Sequence, residues 1–392
     1  MGEKVAVTPN VGAVARGREC EAKGIAAPLT LALSPEGRGD SISRFPLNVP
    51  CSLNKASCPV KVVQIQRRPI PTQFSIEGYF DRVRVCLASS VRMQLHVVPC
   101  FSRGLWGRIR NCVSAWKNQA DVNHVTGDIH YVTFLLPRRR TILTVLDCQV
   151  LARLSGWRRF VVNLLWFTLP VRCVTRITVI SEETRQQLLR EVRFPADRVH
   201  VIPVSVSQLY VPAPKNFTAE CPRILQVGTK ANKNVHRLVR ALEGMACQLD
   251  IVGPIDKSLA KLMQETGVQY QAYGRLSDEQ LVQRYREADV ISFVSTYEGF
   301  GMPIVEAQCV ERVCVTSNCS SMPEVAGQGA CLVDPFDVAS IRAGFQRVIA
   351  DADYRRDLIE AGRVNRLRFD AQKIADDFLK VYELVYDESR TG

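Results

Sequence analysis

One rhythm constrains this 392-residue chain more than any other. Short aliphatic and β-branched runs alternate with longer amphipathic stretches, the alternation stops at a proline-bearing segment, and then it starts again. KVVQIQ (61–66) reads as a first strand, and RRPIPTQFSIEGYFDRV as a loop passing into a helix. Further strands are expected in VRVCLA, QLHVVP, DVNHVTG, TILTVLD and HVIPVSV. ITVISEETRQQLLREV shows the unit most clearly: an apolar run ends at Ser181, which can cap the helix that Glu183 and Thr184 begin. LYVPAPKNFTAECP (209–222) then reads as a linker. After it, RILQVG, QLDIVG, VQYQAYG and DVISFV alternate with helical NVHRLVRAL, SLAKLMQET and DEQLVQRYREA. Strand–helix alternation of this kind means doubly wound parallel sheets. The expected fold class is α/β, with two Rossmann-like domains facing across a cleft. Ligands in such domains bind beyond the carboxyl ends of the strands, against helix N-termini.

The expected boundaries are 60–208 for the first domain, 209–222 for the linker and 223–370 for the second domain. Residues 371–392 form a closing helix, with packing back on the first domain as one option. Residues 1–59 lack any sustained period and are rich in Gly, Pro, Ala and Ser. They read as a poorly ordered tail or as an over-extended start.

Charge is distributed unevenly. Residues 60–222 carry 23 Lys and Arg against 10 Asp and Glu, whereas 223–392 carry 21 against 24. The basic first half fits either a solvated surface or attraction to an anionic membrane or a phosphorylated acceptor. No zinc finger, aromatic RNA-binding signature or basic heptad helix supports a nucleic-acid partner. The 14 cysteines and five histidines are scattered, with no C-x-x-C pair, so no metal site is expected. The absence of a secretory signal and of a cysteine framework suggests a cytoplasmic protein with reduced thiols. The most apolar run, FVVNLLWFTLPV (160–171), is too short to span a bilayer. A buried helix is the first reading of it, and an interfacial helix lying on a membrane is the other.

Two stretches carry chemistry. In RILQVGTKANKNVHRLVRAL a strand ends at Val227, Gly228 lets the chain turn, and Lys230 and Lys233 precede a helix. Ammonium groups at a helix N-terminus suit a diphosphate, although solvated lysines in a plain loop would look the same. In TYEGFGMPIVEA, Glu298 stands before a Gly-Phe-Gly turn and Glu306 stands eight positions later, on a helix entered through Pro303. The glycines allow backbone N–H groups to approach an anion, and a carboxylate on the helix can accept sugar hydroxyls.

Glu298 to Glu306 matches the E-x7-E motif of the retaining, GT-B-fold glycosyltransferases of family 4 (the glycosyltransferase group 1 type), and the chain resembles that family over most of 223–383. VGTKANKN, YGRLSDEQL, ADVISFVSTYEGFGMPIVEA and SNCSSMPEVAGQGACLVDPFD follow in the family's order. The resemblance implies that Glu306 binds the ribose of a nucleotide and that Glu298 lies beside the donor sugar. Gly299, Phe300 and Gly301 would supply backbone donors, and Lys233, with Lys230, would neutralise the diphosphate. The loop with Arg275 and Leu276 would flank the base, and Gly228 and Thr229 would line the donor site. Thr229 stands where the family often has an arginine.

The first half resembles the family's acceptor domain less closely. IPTQFSIEGYF, with Ser75, replaces a Gly-Gly loop, and Leu146 stands where many relatives have a histidine before Asp147. HVTGDIHY supplies His124, Asp128 and His130. His130 is expected near the donor phosphate or the acceptor hydroxyl, with a hydrogen-bonded packing histidine as the alternative; Ser75, His124, Asp128 and Asp147 are acceptor-side candidates.

The implied function is retaining hexosyl transfer from a nucleoside diphosphate sugar to a glycan or lipid-linked acceptor in envelope or exopolysaccharide synthesis. Glu298, Lys233 and His130 are the expected catalytic groups. No cofactor or metal is expected, and the protein would be cytoplasmic or peripheral on the inner membrane face. A nucleotide-sugar epimerase of the same fold and a non-catalytic nucleotide-sugar binder are the competing readings.

Overall fold

A computed structural model describes residues 60–69 and 75–391. The expectation for 1–59 falls outside the described residues, as does the side chain of Ser75, the first residue of the helix Ser75–Leu87.

The first sheet holds β1 (Lys61–Gln66), β2 (Arg92–Val97), β3 (Val122–Thr126), β4 (Thr141–Val145), β5 (Arg176–Val179) and β6 (Val199–Val201), ordered β2-β1-β3-β4-β5-β6. The second holds β7 (Arg223–Val227), β8 (Gln248–Val252), β9 (Gln269–Tyr273), β10 (Val290–Phe293), β11 (Val313–Ser317) and β12 (Cys331–Val333), ordered β12-β11-β10-β7-β8-β9. All the strand pairs are parallel. The central strands β3, β4, β5, β10 and β11 are buried throughout, as strands covered by helices on both faces must be, while the edge strands β2 and β9 are largely exposed. Chain direction across the sheet reverses between β1 and β3 in the first sheet and between β7 and β10 in the second. A parallel sheet opens a crevice at such switch points.

Two local expectations are corrected. VRVCLA is not a strand: it lies at the end of the helix Ser75–Leu87, which buries Tyr79, Phe80, Val83 and Leu87 on one face. Its apolar residues serve a helical period that a short window does not reveal. Nor is 160–171 a buried helix. It belongs to a helical run over 156–172 whose middle, Asn163–Thr168, is π-helical. That run buries Phe167, Pro170 and Val171 but leaves Phe160 and Leu165 in solvent. Among the described residues no helix is long and apolar enough to cross a membrane.

The chain passes between the sheets twice, once after β6 and again through Arg366–Phe369 into the final helix Ala371–Arg390. That helix packs on the first sheet's side of the protein. Phe378 packs at a tilt against Tyr79 and Phe80, and Tyr382 reaches His124 and Gln64 with its hydroxyl. Glu388 pairs with Arg176 of β5.

Candidate functional site

The second sheet's switch point is built from the loops after β7 and β10. β7 ends at Val227, and Gly228 takes φ +86°, a left-handed turn that glycine adopts without strain. A Cβ at Gly228 would meet the Lys233 side chain at 3.3 Å, so the lysine stem lies folded over the glycine. Lys233 Nζ reaches Glu298 Oε1 at 2.7 Å and lies 4.5 Å from the centre of the Phe293 ring. Asn232 Nδ2 donates to the same carboxylate oxygen at 3.0 Å and to the Tyr297 carbonyl at 3.1 Å. Asn234, itself left-handed at φ +58°, ties the start of the helix Val235–Leu242 to the Val294 and Pro335 carbonyls. The two loops are thereby fixed to one another by side chains and by the Thr296 N–H, which donates to the Asn232 carbonyl at 2.8 Å.

Glu298 lies in the loop and Glu306 on the helix Met302–Cys309. Ser320 accepts from the Glu298 N–H at 3.2 Å and donates to the Glu298 carbonyl at 2.6 Å. Ser321 donates to the Glu298 and Phe300 carbonyls. Glu306 occupies a different environment. The Tyr285 hydroxyl donates to its Oε2 at 2.5 Å, and Tyr210, from the segment between the sheets, packs edge-on against Tyr285 at 5.3 Å. Burial pushes the Glu306 carboxyl up to about 7, against the opposing pull of Tyr285, Lys233, Tyr210 and Arg82.

The remaining donor-side candidates scatter. The Thr229 hydroxyl donates to the Pro254 carbonyl at 2.7 Å. Lys230 is exposed and lines a pocket with His236, Arg237 and Arg240 that does not include Lys233. Exposed Arg275 and half-buried Leu276 sit in the loop before the helix Asp278–Glu287, whose start is fixed by a Ser277–Gln280 capping box. Phe300 is buried, with Phe369 of the second crossing edge-on at 5.5 Å.

The first sheet comes directly against this loop. At Gly299 a Cβ would stand 2.5 Å from the Leu146 carbonyl oxygen and 3.1 Å from the Asp147 Cβ, so only glycine permits the approach. The Ser181 hydroxyl donates to the Gly299 carbonyl at 2.8 Å, and the Tyr297 hydroxyl to Gln187 at 2.7 Å. The Glu324 carboxylate accepts from the Glu182 N–H at 2.9 Å and the Glu183 N–H at 3.3 Å, so a residue of the second sheet's half caps the helix Glu182–Glu191 of the first.

Asp147 keeps solvent contact and holds the Gln149 N–H at 2.9 Å. The surrounding protein, with the Asp128 and Glu298 charges, nonetheless raises its pKa. Asp128 pairs with Arg67 at 3.0 Å, and Arg67 also holds Glu77 at 3.0 Å. His130 is almost fully buried. Its Nδ1 lies 2.7 Å from the Trp166 carbonyl, which can only accept, so Nδ1 carries the proton and Nε2 the lone pair. Burial lowers its pKa, keeping the ring neutral near pH 7. The freed carbonyl comes from the π-helical segment, where the wider hydrogen-bond spacing exposes such groups.

His124 is corrected. It is wholly buried, with Nδ1 on the Tyr382 hydroxyl at 2.8 Å and Nε2 on the Thr144 hydroxyl at 2.7 Å. It is a core histidine with both nitrogens committed and no edge to offer an acceptor. Arg67, Asn232, Ser320, Ser321, Tyr285 and Glu324 were not singled out from sequence. The serines and Glu324 had a signal in SNCSSMPEV, and Asn232 had one in VGTKANKN.

Among the described residues no group of three His, Cys, Asp or Glu side chains gathers to hold a metal ion. The lysine–glutamate pair, the asparagine and the turn can instead hold an anion and a polyhydroxylated ring side by side.

Comparisons place this geometry. Residues 213–365 match the family described as glycosyl transferases group 1. O-antigen chain mannosyltransferase B of Escherichia coli is 27% identical over 235 residues, covering 53% of this chain and 60% of that protein. MMP alpha-(1->4)-mannosyltransferase of Mycolicibacterium hassiacum is 27% identical over 227 residues, covering 54% of each. The chain thus spans little more than half the length of these relatives. The structure of Anabaena Alr3699/HepE in complex with UDP-glucose superposes with a TM-score of 0.68 at 16% identity, covering 83% of this chain and 100% of that one. The fold is GT-B, as the two facing doubly wound sheets led one to expect.

Proposed function

We propose, from the match of residues 213–365 to the glycosyl transferases group 1 family, that this protein transfers a hexose from a nucleoside diphosphate sugar to a glycan or lipid-linked hydroxyl, with retention at the anomeric carbon. The observation that carries the reading is the Lys233–Glu298 pair at the second sheet's switch point, beside the Gly299–Gly301 turn. The likeness to an O-antigen chain mannosyltransferase supports a place in cell-envelope glycan synthesis and makes mannose the first donor sugar to try.

The hard step is departure of the diphosphate while positive charge develops on the sugar. Lys233, already cradled by Asn232 through their shared carboxylate, is positioned to exchange Glu298 for a phosphate oxygen. Glu298, so released, would turn to the sugar hydroxyls. Glu306, next to Tyr285, would take the ribose hydroxyls in its ionised form. On the facing side, the His130 Nε2 lone pair would accept a hydrogen bond from a sugar or acceptor hydroxyl, and the Arg67–Asp128 pair would border the acceptor. Diphosphate neutralisation by lysine makes a divalent cation unnecessary in this scheme. The contact of Gly299 with Leu146 supports a closed cleft that limits hydrolysis.

The test is a panel of nucleoside diphosphate sugars incubated with and without a lipid extract. Free nucleoside diphosphate together with a glycosylated product supports the transferase. An altered sugar nucleotide formed without acceptor would replace it with an epimerase.

A further inference from the structure

The helix Gly104–Lys117 and the helical run over 156–172 follow β2 and β4, so both begin at the carboxyl edge of the first sheet, the edge that faces the site. Their outward sides are apolar to an extent a solvated surface does not need. Trp106 is 83% exposed, Trp157 73% and Phe160 68%, and Leu105, Ile109 and Leu165 accompany them. The short helix His130–Leu135 adds Phe134 and Leu135. These three segments lie side by side: the Arg108 guanidinium sits 5.4 Å from the Trp166 ring centre and 5.7 Å from that of Tyr131. The segments themselves carry charge of nearly one sign, although Glu191 reaches Arg159 and Asn163 of the helical run. Residues 82–120 contain no Asp or Glu and 129–181 contain Asp147 alone, while Arg103, Arg110 and Arg158 interleave the exposed aromatics.

We propose that this face docks the protein on an anionic phospholipid bilayer, with Trp106, Trp157 and Phe160 seated at headgroup level and the arginines reaching the lipid phosphates. Indole rings favour the membrane–water boundary, and arginine stems lie along apolar surface while their heads stay with the phosphates. A second copy of the chain is a poorer occupant, because a two-fold contact sets this patch against itself and opposes arginine with arginine. The helical run that meets the lipid also holds His130 through the Trp166 carbonyl, so a docked protein presents the acceptor side of its cleft beside the membrane. The inference deepens the reading of a lipid-linked acceptor and rests on it for its biological sense, but the binding itself needs neither donor nor acceptor.

The experiment is co-sedimentation of the full chain with phosphatidylcholine vesicles, with and without phosphatidylglycerol. Wild type is expected to sediment only with the anionic vesicles and to be released by high salt. W106A/W157A/F160A and, separately, R110E/R158E are each expected to weaken sedimentation at least tenfold, with unchanged unfolding temperatures. Wild type remaining in the supernatant, or sedimentation undiminished in both variants, overturns the proposal. So does a dimer in sedimentation equilibrium that W106A/W157A/F160A converts to monomer. Nucleoside diphosphate release with a water-soluble acceptor is measured in parallel: turnover without vesicle binding removes only this inference, and vesicle binding without turnover on any donor removes only the transferase.

Discussion

Lys233 Nζ and Glu298 Oε1 are 2.7 Å apart, and both side chains are more than four-fifths shielded from solvent. Each neutralises the other, and in the proposed transfer Lys233 would serve the diphosphate and Glu298 the sugar hydroxyls. The expected effect of K233A is therefore a fall in kcat on the order of 10²- to 10³-fold, the scale of losing one preorganised charge contact. The unfolding midpoint should move little. Steady-state kinetics with the preferred donor check it, and near-normal kcat would remove Lys233 from phosphate stabilisation.

Under the proposed ribose contact, Glu306 gives donor binding a pH dependence. Its carboxyl, pushed up to about 7 by burial, is largely protonated at pH 6 and accepts ribose hydroxyls less well in that form. Donor affinity measured by calorimetry is expected to fall several-fold from pH 8 to pH 6. E306Q should bind weakly with little pH dependence over that range. An unchanged wild-type slope in E306Q would place the titrating group elsewhere.

Two of the titrations that act on stability are opposed. His124 has its pKa lowered to about 3 by burial, so the unfolded chain binds the extra proton and stability drops as pH falls below about 6.5, by about 1.4 kcal/mol per unit. Glu306 has its pKa raised, so the folded chain binds the proton first. Its contribution is present below about 4.5 and is lost as pH rises toward 7, with a slope of the opposite sign. Denaturant unfolding between pH 7 and 5 should show a steeper acid loss in E306Q than in wild type. Equal slopes in the two proteins would contradict the assignment.

Gly299 has no room for a side chain. G299A places a methyl 2.5 Å from the Leu146 carbonyl, a backbone atom that cannot swing aside. The cleft is expected to open, with a larger radius of gyration by X-ray scattering and a kcat reduced with the same donor. Scattering and kcat indistinguishable from wild type would show that the contact is not needed.

E324Q keeps the size of the residue but removes the charge that caps the helix Glu182–Glu191. The expected cost is about 1 kcal/mol in unfolding free energy, at the scale of a helix cap. A loss much below that would mean the glutamine amide oxygen caps as well as the carboxylate.

Activity in excess chelator tests the expectation that lysine, not a divalent cation, neutralises the diphosphate. Undiminished turnover is expected; loss in chelator with recovery on adding Mg2+ or Mn2+ would reverse it.

The second half of the fold was legible because its information is local. In TYEGFGMPIVEA and VGTKANKN a strand end, a turn and a helix start sit within a dozen residues, so the spacing carries the geometry. The first half depends on contacts distant in sequence. Arg67 meets Asp128 only because β1 and β3 are neighbours, and His124 becomes a core residue only because Tyr382 returns from 258 positions away. Residues 160–171 misled for a related reason: their hydrophobicity marked a burial that the neighbouring elements do not provide. Glu306 read correctly as a helical carboxylate, but its two tyrosines lie on separate elements and gave no pattern to read.

The double passage between the sheets has a mechanical meaning. A protein joined by one strand can twist about it freely, whereas two straps define a single axis of swing. Here each strap is also in touch with one carboxylate's surroundings: Tyr210 leans on the tyrosine that holds Glu306, and Phe369 on the phenylalanine two residues after Glu298. A rotation about that axis would disturb both ring contacts together, so the surroundings of Glu306 and of the Glu298 loop would shift in step.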